Sequence, residues 1–375
     1  MHDRDFSKPG EAFRPLLCVG AISGTSMDGV DAALIETDGD GLVRRLAGAT
    51  LPYDPALVAE LRAVIADPAR AEHGDLAALE GAVTDAHGDA VLAFLSARGV
   101  DPRAVALAGL HGQTVFHRPQ RRFTRQLLDG ARAAARLKID VVCRFRHADV
   151  AAGGEGAPLA PLYHTALARG LPGPLMVLNW GGVGNVTYVG DGDPVAFDAG
   201  PANALMDDWT LRHAGRPYDE GGRLAAAGRV DSDILARLMD NPFFDRPAPK
   251  SLDRNDFHAR ARIVEALSPA DGAATLAAFT VEATAASVRH VPSPPARWLG
   301  CGGGLLNATL MARRAARLGA PVEPVEAVGW NGDHLEAELF AYLAARSRRG
   351  LPLSLPTTTG VPRPLRGGEF FAAAP

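Results

Sequence analysis

Three short stretches set glycines among hydroxyl, amide and carboxylate side chains where an apolar run ends: SGTSMDG at 23–29, NWGGVGN at 179–185 and GCGGGLLN at 300–307. Glycine permits positive φ and lets main-chain N–H groups reach a ligand with no Cβ in the way. Successive N–H groups in such turns form anion-binding nests, and a following helix N-terminus adds partial positive charge. The chemistry these stretches suit is the grip of a phosphate. In the first, Gly24, Met27, Gly29 and Val30 shape the turn, Thr25 and Ser26 offer hydroxyl donors, and Asp28 and Asp31 could orient water on a Mg²⁺ ion, with Asp28 the nearer candidate. Gly181, Gly182 and Asn185 are the candidates in the second turn, and Gly302, Gly303, Gly304 and Asn307 in the third. Taken singly, each is better read as a tight turn. No GxxxxGK[ST] occurs, so a P-loop is excluded, and GCGGGLLN lacks the spacing of a dinucleotide fingerprint. Three turns in this order suit a nucleotide gripped from both sides of a cleft.

Asp198, in FDAGPAN, ends an apolar run and is followed by residues that cannot continue a strand. A carboxylate there projects either into the cleft as a general base or onto the N-terminus of a helix starting near Pro201. His111 and His117 stand six residues apart with no third ligand nearby, which counts against a metal pair.

The elements that must position these residues follow from periodicity. LLCVGAIS, VDAALIE and LVRRLAGATLPY read as three neighbouring antiparallel strands. PALVAELRAVIA, the long HGDLAALEGAVTDAHGDAVLAFLSARG and ARAAARL read as helices, with VALAGLHG and IDVVCRF as short buried strands. After the Gly/Pro-rich break AAGGEGAPLAP the opening pattern returns: MVLNW, NVTYV and PVAFD are strands around a glycine turn, and RWLGCGGGLLNATLMARRAARLG is strand, turn, helix. The expected organisation is α/β: a tail at 1–14, one domain at 15–150 and a second at 151–375, with the last helix, DHLEAELFAYLAARSRRG, packing back toward the first. A chain of 375 residues is long enough for two cores. Its net charge of −4 gives no nucleic-acid footprint. Cys18, Cys143 and Cys301 lie in or beside apolar runs without CxxC spacing, as reduced core thiols do. Neither a signal peptide nor an apolar run of membrane-spanning length is present, so a soluble, cytoplasmic protein is expected, with no membrane partner.

Nearly the whole chain, from Val19 to about Pro364, resembles the anhydro-N-acetylmuramic acid kinases of the sugar kinase, Hsp70 and actin superfamily. The resemblance rests on SGTSMDGVDAAL, LHGQTVFHRP, FRHADVAAGGEGAPLAP, NWGGVGNVTY, AFDAGPANALMD, PKSLDRNDF, CGGGLLN and LPTTTGVPRP. It implies two duplicated ribonuclease-H-like (actin-like ATPase) domains, with mixed five-stranded sheets flanked by helices and a cleft between them. It further implies ATP and Mg²⁺ as co-reactants, a homodimer, and a reaction on 1,6-anhydro-N-acetylmuramic acid. The O6 of that sugar is tied in an ether to C1, so water must attack C1 while O6 leaves toward the γ-phosphate. On this reading Asp198 is the base, His111, Gln113, Thr114, Gly200 and Pro201 face the sugar, and Arg146 clamps the lactyl carboxylate or is merely a surface arginine. Glu336, on the last helix, is either an inward carboxylate or an ordinary exposed one. Four positions depart from the family pattern: Arg144 stands where Asp is usual, Glu155 for Gln, Leu128 for Gly and Ala199 for Thr. Arg144 reverses a charge, and a pair with Glu155 would restore the balance. The reversal also admits a catalytically impaired nucleotide- or sugar-binding regulator on the same fold. A chaperone-like or filament-forming ATPase would have no use for HGQTVFH and FDAGPAN.

Overall fold

The structure, a computed structural model, describes residues 14–24, 27–252 and 256–373. The chain divides into two compact units, one of Met1–Arg169 with Asp333–Pro375 and one of Gly170–Gly332.

In the first unit β1 (Leu16–Ser23), β2 (Gly29–Thr37) and β3 (Val43–Pro52) form an antiparallel meander. On the other side of β1, β4 (Leu107–Arg118) and then β6 (Val141–Cys143) add in parallel, and β5 (Phe123–Leu127) folds back on β4. The second unit repeats the order. Its meander is β7 (Leu175–Trp180), β8 (Val183–Val189) and β9 (Val195–Pro201), and β10 (Arg297–Cys301) and β11 (Val322–Pro324) add in parallel beyond β7. This sheet has five strands, as expected; that of the first unit has seven, because β5 and a last strand, β12 (Glu369–Phe371), join it.

Burial explains the order. Cys18 to Ser23 of β1 are buried without a break, the mark of a central strand covered on both faces, whereas β3 alternates between half-buried and exposed positions as an edge strand does. The helices Ala77–Ala97 and Gly130–Leu137 supply core residues Leu79, Val83, Phe94, Ala133 and Leu137 to the first unit. The helix Pro269–Ala286 runs through the core of the second, where Phe279 meets Phe244 and Phe257 edge-on and tilted. Among the described residues, no helix is long and apolar enough to cross a membrane. The three cysteines are free thiols; Cys18 and Cys143 are buried and pushed up to about 12 by that burial.

Two features differ from the periodicity reading. The strand beginning at VALAGL does not stop at His111-Gly112 but runs on to Arg118, because Gly112 takes a left-handed φ of 73° and lets the strand bend and continue. The strands β11 and β12 are three residues each, too short to carry a period.

The helix Leu335–Arg348 belongs to the first unit, and two glycines admit it. Gly20 and Gly109 are partners across the β1–β4 pair. A Cβ on Gly20 would lie 1.9 Å from the carbonyl oxygen of Ala337, and one on Gly109 2.0 Å from that of Phe340. The helix backbone therefore rests directly on the sheet. Gly20→Ala and Gly109→Ala should each cost about 1–3 kcal/mol in urea unfolding, because backbone cannot step aside as a flexible side chain can. Gly192, with nothing within 4 Å of its Cβ position, provides the control. A cost for Gly192→Ala as large as for the other two would contradict the close approach.

Candidate functional site

In the first unit, candidate residues gather at the ends of β1 and β4. Thr25 and Ser26 lie outside the described residues. The turn around them closes with Met27 N–H on the Gly24 carbonyl at 3.3 Å, and Met27 itself sits at a left-handed φ of 55°. Gly29 opens β2 with its Cβ position 2.4 Å from the Leu51 carbonyl, so no larger residue fits there, and Val30 is buried. Asp31 accepts a hydrogen bond from the Thr50 hydroxyl at 2.6 Å. Burial pushes its carboxyl above the usual range; Thr50 and His334 oppose this, while the like charges of Asp28 and Asp333 add to it.

A buried chain of polar groups supports that turn. Gln113 is paired with Ser23 across β1 and β4, and its Oε1 accepts the Ser23 hydroxyl at 2.5 Å. Its Nε2 faces the carbonyls of Gly24 at 3.4 Å and Thr114 at 3.3 Å. The Tyr53 hydroxyl bonds Ser23 and stands 3.5 Å from Nδ1 of His87, which bonds the Val83 carbonyl at 2.9 Å. His87 is fully buried, and burial lowers its pKa to about 4. Thr114 accepts from Nε2 of Gln126 at 3.3 Å. Periodicity gave no hint of Tyr53 or His87, which sit at a strand exit and on an inner helix face.

His111 is buried, with Nδ1 3.0 Å from the Gly112 carbonyl and Nε2 accepting the Nε–H of Arg146 at 2.9 Å. A ring nitrogen that accepts from a guanidinium carries no proton, so His111 is the neutral Nδ1–H tautomer. Burial first, then Arg146, holds its pKa well below the usual value. Arg146 is no surface residue: its Nη1 donates to the Gly156 carbonyl at 2.8 Å, and burial lowers its pKa while Glu336 and Asp149 counter the shift. Glu336 has an exposed side chain, yet desolvation by the groups crowded around it raises its carboxyl, with Arg146 opposing and Asp31 adding. The loop 153–156 is tied at several points. Asp149 accepts from Gly156 N–H and from the Thr359 hydroxyl, both at 2.6 Å; Glu155 N–H donates to the Thr359 carbonyl at 2.7 Å; His117 Nε2 meets the Glu155 carbonyl at 3.0 Å. Thr359, which the sequence left without a role, thus holds this loop. His117 also bonds the Thr124 hydroxyl through Nδ1 at 2.9 Å, so both its ring nitrogens are engaged. Among the described residues no three His, Cys, Asp or Glu side chains could hold a metal ion outright.

The expected Arg144–Glu155 pair is corrected. Arg144 bonds Glu369 of β12 at 2.7 Å, with both side chains about half exposed. The reversed charge is neutralised at the sheet edge, because β12 brings its own carboxylate beside β6.

In the second unit, Cys301, Asn179, Asn185 and Asp198 lie in register across β10, β7, β8 and β9. All four are half-buried, and in-register neighbours share a face, so they form one accessible row at the end of the sheet. Asp198 is doubly held. Its N–H donates to the Lys250 carbonyl at 2.9 Å, and its Oδ2 accepts the Leu252 N–H at 2.8 Å. It does not cap the following helix, Asn203–Ala214, whose N-cap is Ala202 with no side-chain bond. Gly200 and Pro201, both buried, finish β9 against Gly184 and Val183.

The glycines of the two turns here separate into two kinds. Gly302, at a φ of 87°, would put a Cβ 2.5 Å from Asn179 Oδ1, and Gly304 one 2.6 Å from Trp180 Cβ; packing demands both. A Cβ on Gly181 or Gly182 would meet nothing closer than 3.7 Å, and one on Gly303 nothing closer than 3.8 Å. The fold leaves room at these three, which is what close approach of a ligand to main chain requires. The carbonyls of Gly181 and Gly182 accept N–H groups of Ala202, Asn203 and Ala204, which anchors the turn to the helix behind it. Asn307 caps the helix Ala308–Arg317 by accepting Leu310 N–H at 3.0 Å, a structural task that occupies its side chain.

Residues 16–373 match the family model described as anhydro-N-acetylmuramic acid kinase. A protein of that name from Rhodospirillum rubrum is 51% identical over 95% of this chain and 94% of its own. One from Paramagnetospirillum magneticum is 50% identical over 94% and 99%, and one from Acidiphilium cryptum is 52% identical over 95% and 98%. Among solved structures, a ROK family glucokinase from Streptomyces griseus, in complex with glucose and AMPPNP, covers 88% of this chain and 99% of its own at 14% identity with a TM-score of 0.40. Similarity at that level says nothing of function.

The buried imidazoles set a pH dependence. Groups such as His87, with a pKa near 4, stay neutral in the folded chain while the unfolded chain protonates near 6.5, so the unfolded state binds more protons and stability falls as pH drops below about 6.5. For His87 alone the loss at pH 5 is about 2 kcal/mol. Thermal melts should therefore show a lower midpoint at pH 5 than at pH 7, with a smaller drop in His87→Gln. An unchanged drop in that variant would rule out His87 as a contributor.

Proposed function

Given that the chain belongs to the anhydro-N-acetylmuramic acid kinase family, we propose that it binds ATP and 1,6-anhydro-N-acetylmuramic acid, opens the anhydro ring with water and phosphorylates O6. The bonds balance in one step. A water oxygen bonds C1 as the C1–O6 bond breaks, O6 takes the γ-phosphoryl group of ATP as the bond from the γ-phosphorus to the bridging oxygen breaks and ADP leaves, and the water proton passes to a carboxylate. The products are N-acetylmuramic acid 6-phosphate and ADP.

Asp198 carries the reading. Its carboxylate is oriented by the Leu252 amide, lies in an accessible row and is not used as a helix cap, which is the placement a general base needs. Gly181, Gly182 and Gly303 support the nucleotide assignment, since the space beside them is what phosphate oxygens on main-chain amides would take. The turn at Gly24–Asp31 is assigned to the phosphates as well. In the first unit His111, Gln113 and Arg146 form a preorganised hydrogen-bonding group suited to the sugar's polar substituents, with Thr114 beside them and Glu336 as an acceptor. Gln113 and His111 act largely through neighbours, because their polar atoms already bond protein.

Mg²⁺ fits as an ion carried on the phosphates. Asp28 and Asp333 bear on Asp31 as like charges, with His334 opposing them, and Asp28 would hold a divalent cation through water. When bound, such an ion would supply positive charge to offset that developing on the phosphates. A homodimer is read from the family resemblance, and a cytoplasmic location from the free thiols.

The test is incubation of purified protein with ATP and the anhydro sugar, followed by mass spectrometry for the ring-opened 6-phosphate. Asp198→Asn should keep nucleotide affinity and lose at least about 100-fold in turnover; undiminished turnover would remove it as the base. Gly182→Ala should leave the melting temperature unchanged and raise KM for ATP roughly tenfold, equivalent to about 1.4 kcal/mol. An unchanged KM would detach that turn from the nucleotide.

A further inference from the structure

Lys250 lies in PKSLDRNDF, a stretch to which the sequence attaches no chemistry. Its side chain is buried, with 5% of its surface exposed. Nζ donates to the Phe243 carbonyl at 2.9 Å and approaches that of Phe244 at 3.4 Å, both in the tight turn Pro242–Asp245. It stands 4.7 Å from the Phe243 ring centre and 5.6 Å from that of Phe197, the residue before Asp198. His290 Nε2, 3.2 Å from Nζ and 2.7 Å from the Phe244 carbonyl, closes the group. Burial first, then the charges of Arg246 and Arg289, draws the Lys250 pKa down to about 8, with Asp245 opposing. A buried ammonium is costly and persists where its bonds hold something in place.

What it holds is the strand of chain that grips Asp198. The Lys250 carbonyl accepts the Asp198 N–H, and two residues on, the Leu252 N–H donates to the carboxylate. We propose that Lys250 is a positioning residue for Asp198: its ammonium pins segment 250–252 to the turn at 242–245, and that segment fixes the angle of the carboxylate. This rests on Asp198 acting as the base. The ammonium does not meet the substrate; it sets where the base points, so its loss appears in kcat and not in nucleotide binding.

The experiment compares Lys250→Met, Lys250→Arg and Asp198→Asn in steady-state kinetics, nucleotide-binding calorimetry and thermal melts of the full chain. Lys250→Met should lose about 100-fold in kcat, the scale of a misplacement near 1 Å, with KM for ATP within about twofold of wild type. Lys250→Arg, which keeps a charged donor, should regain at least a tenth of the wild-type kcat. A Lys250→Met kcat within about threefold of wild type overturns the proposal. So does loss of ATP affinity or of a cooperative melt in both lysine variants, which would make Lys250 a residue of the fold alone. Asp198→Asn reads the premise separately: full turnover there removes Asp198 as base whatever the lysine variants do.

Discussion

A helix backbone can lie on a sheet at main-chain distance only where the sheet has no side chain to hold it off. In the first unit that condition is met by Gly20 and Gly109, partners on the two central parallel strands. The helix Leu335–Arg348 settles there and sets what surrounds the polar group at the strand ends. Phe340 stacks 4.6 Å from the His111 ring and 5.2 Å from that of Phe145, Glu336 places its carboxylate in the field of Arg146, and His334 bears on Asp31. Remove the two glycines and this neighbourhood has no floor.

Each unit holds a carboxylate by main chain. Asp149 takes the amide of Gly156 and Asp198 that of Leu252, so a main-chain N–H aims each carboxylate. A carboxylate aimed by folded backbone has its geometry fixed in advance, which is the condition for electrostatic preorganisation.

The parts of this arrangement that local pattern dictates were legible in the sequence. The two meanders follow from unbroken apolar runs such as LLCVGAIS and MVLNW around glycine turns, and the helix Leu335–Arg348 from its leucines and terminal Gly350. Asp198 was visible as a carboxylate at a strand end, but whether it caps the following helix was not, because the partner that takes it, Leu252, is distant in sequence. Arg144 was misassigned for the same reason: Glu369 reaches it only through the pairing of two three-residue strands, which no period announces. The roles of Thr359, His87 and Lys250 are tertiary in the same sense. A histidine in an inner helix face and a lysine beside a cluster of phenylalanines carry no local signature of what they bond.

The repeated sheet has one asymmetry with a temporal side. The first unit is interrupted: residues 170–332 form the other unit, and the first receives its covering helix and β12 only afterwards. On a ribosome the chain emerges from its N-terminus, and units usually fold as they appear. Here β1 and β4 leave the exit tunnel with their glycine groove bare and must wait through the synthesis of an entire second unit. The later-born half can complete itself first, and the ends of β1 and β4 are among the last parts to acquire their full surroundings.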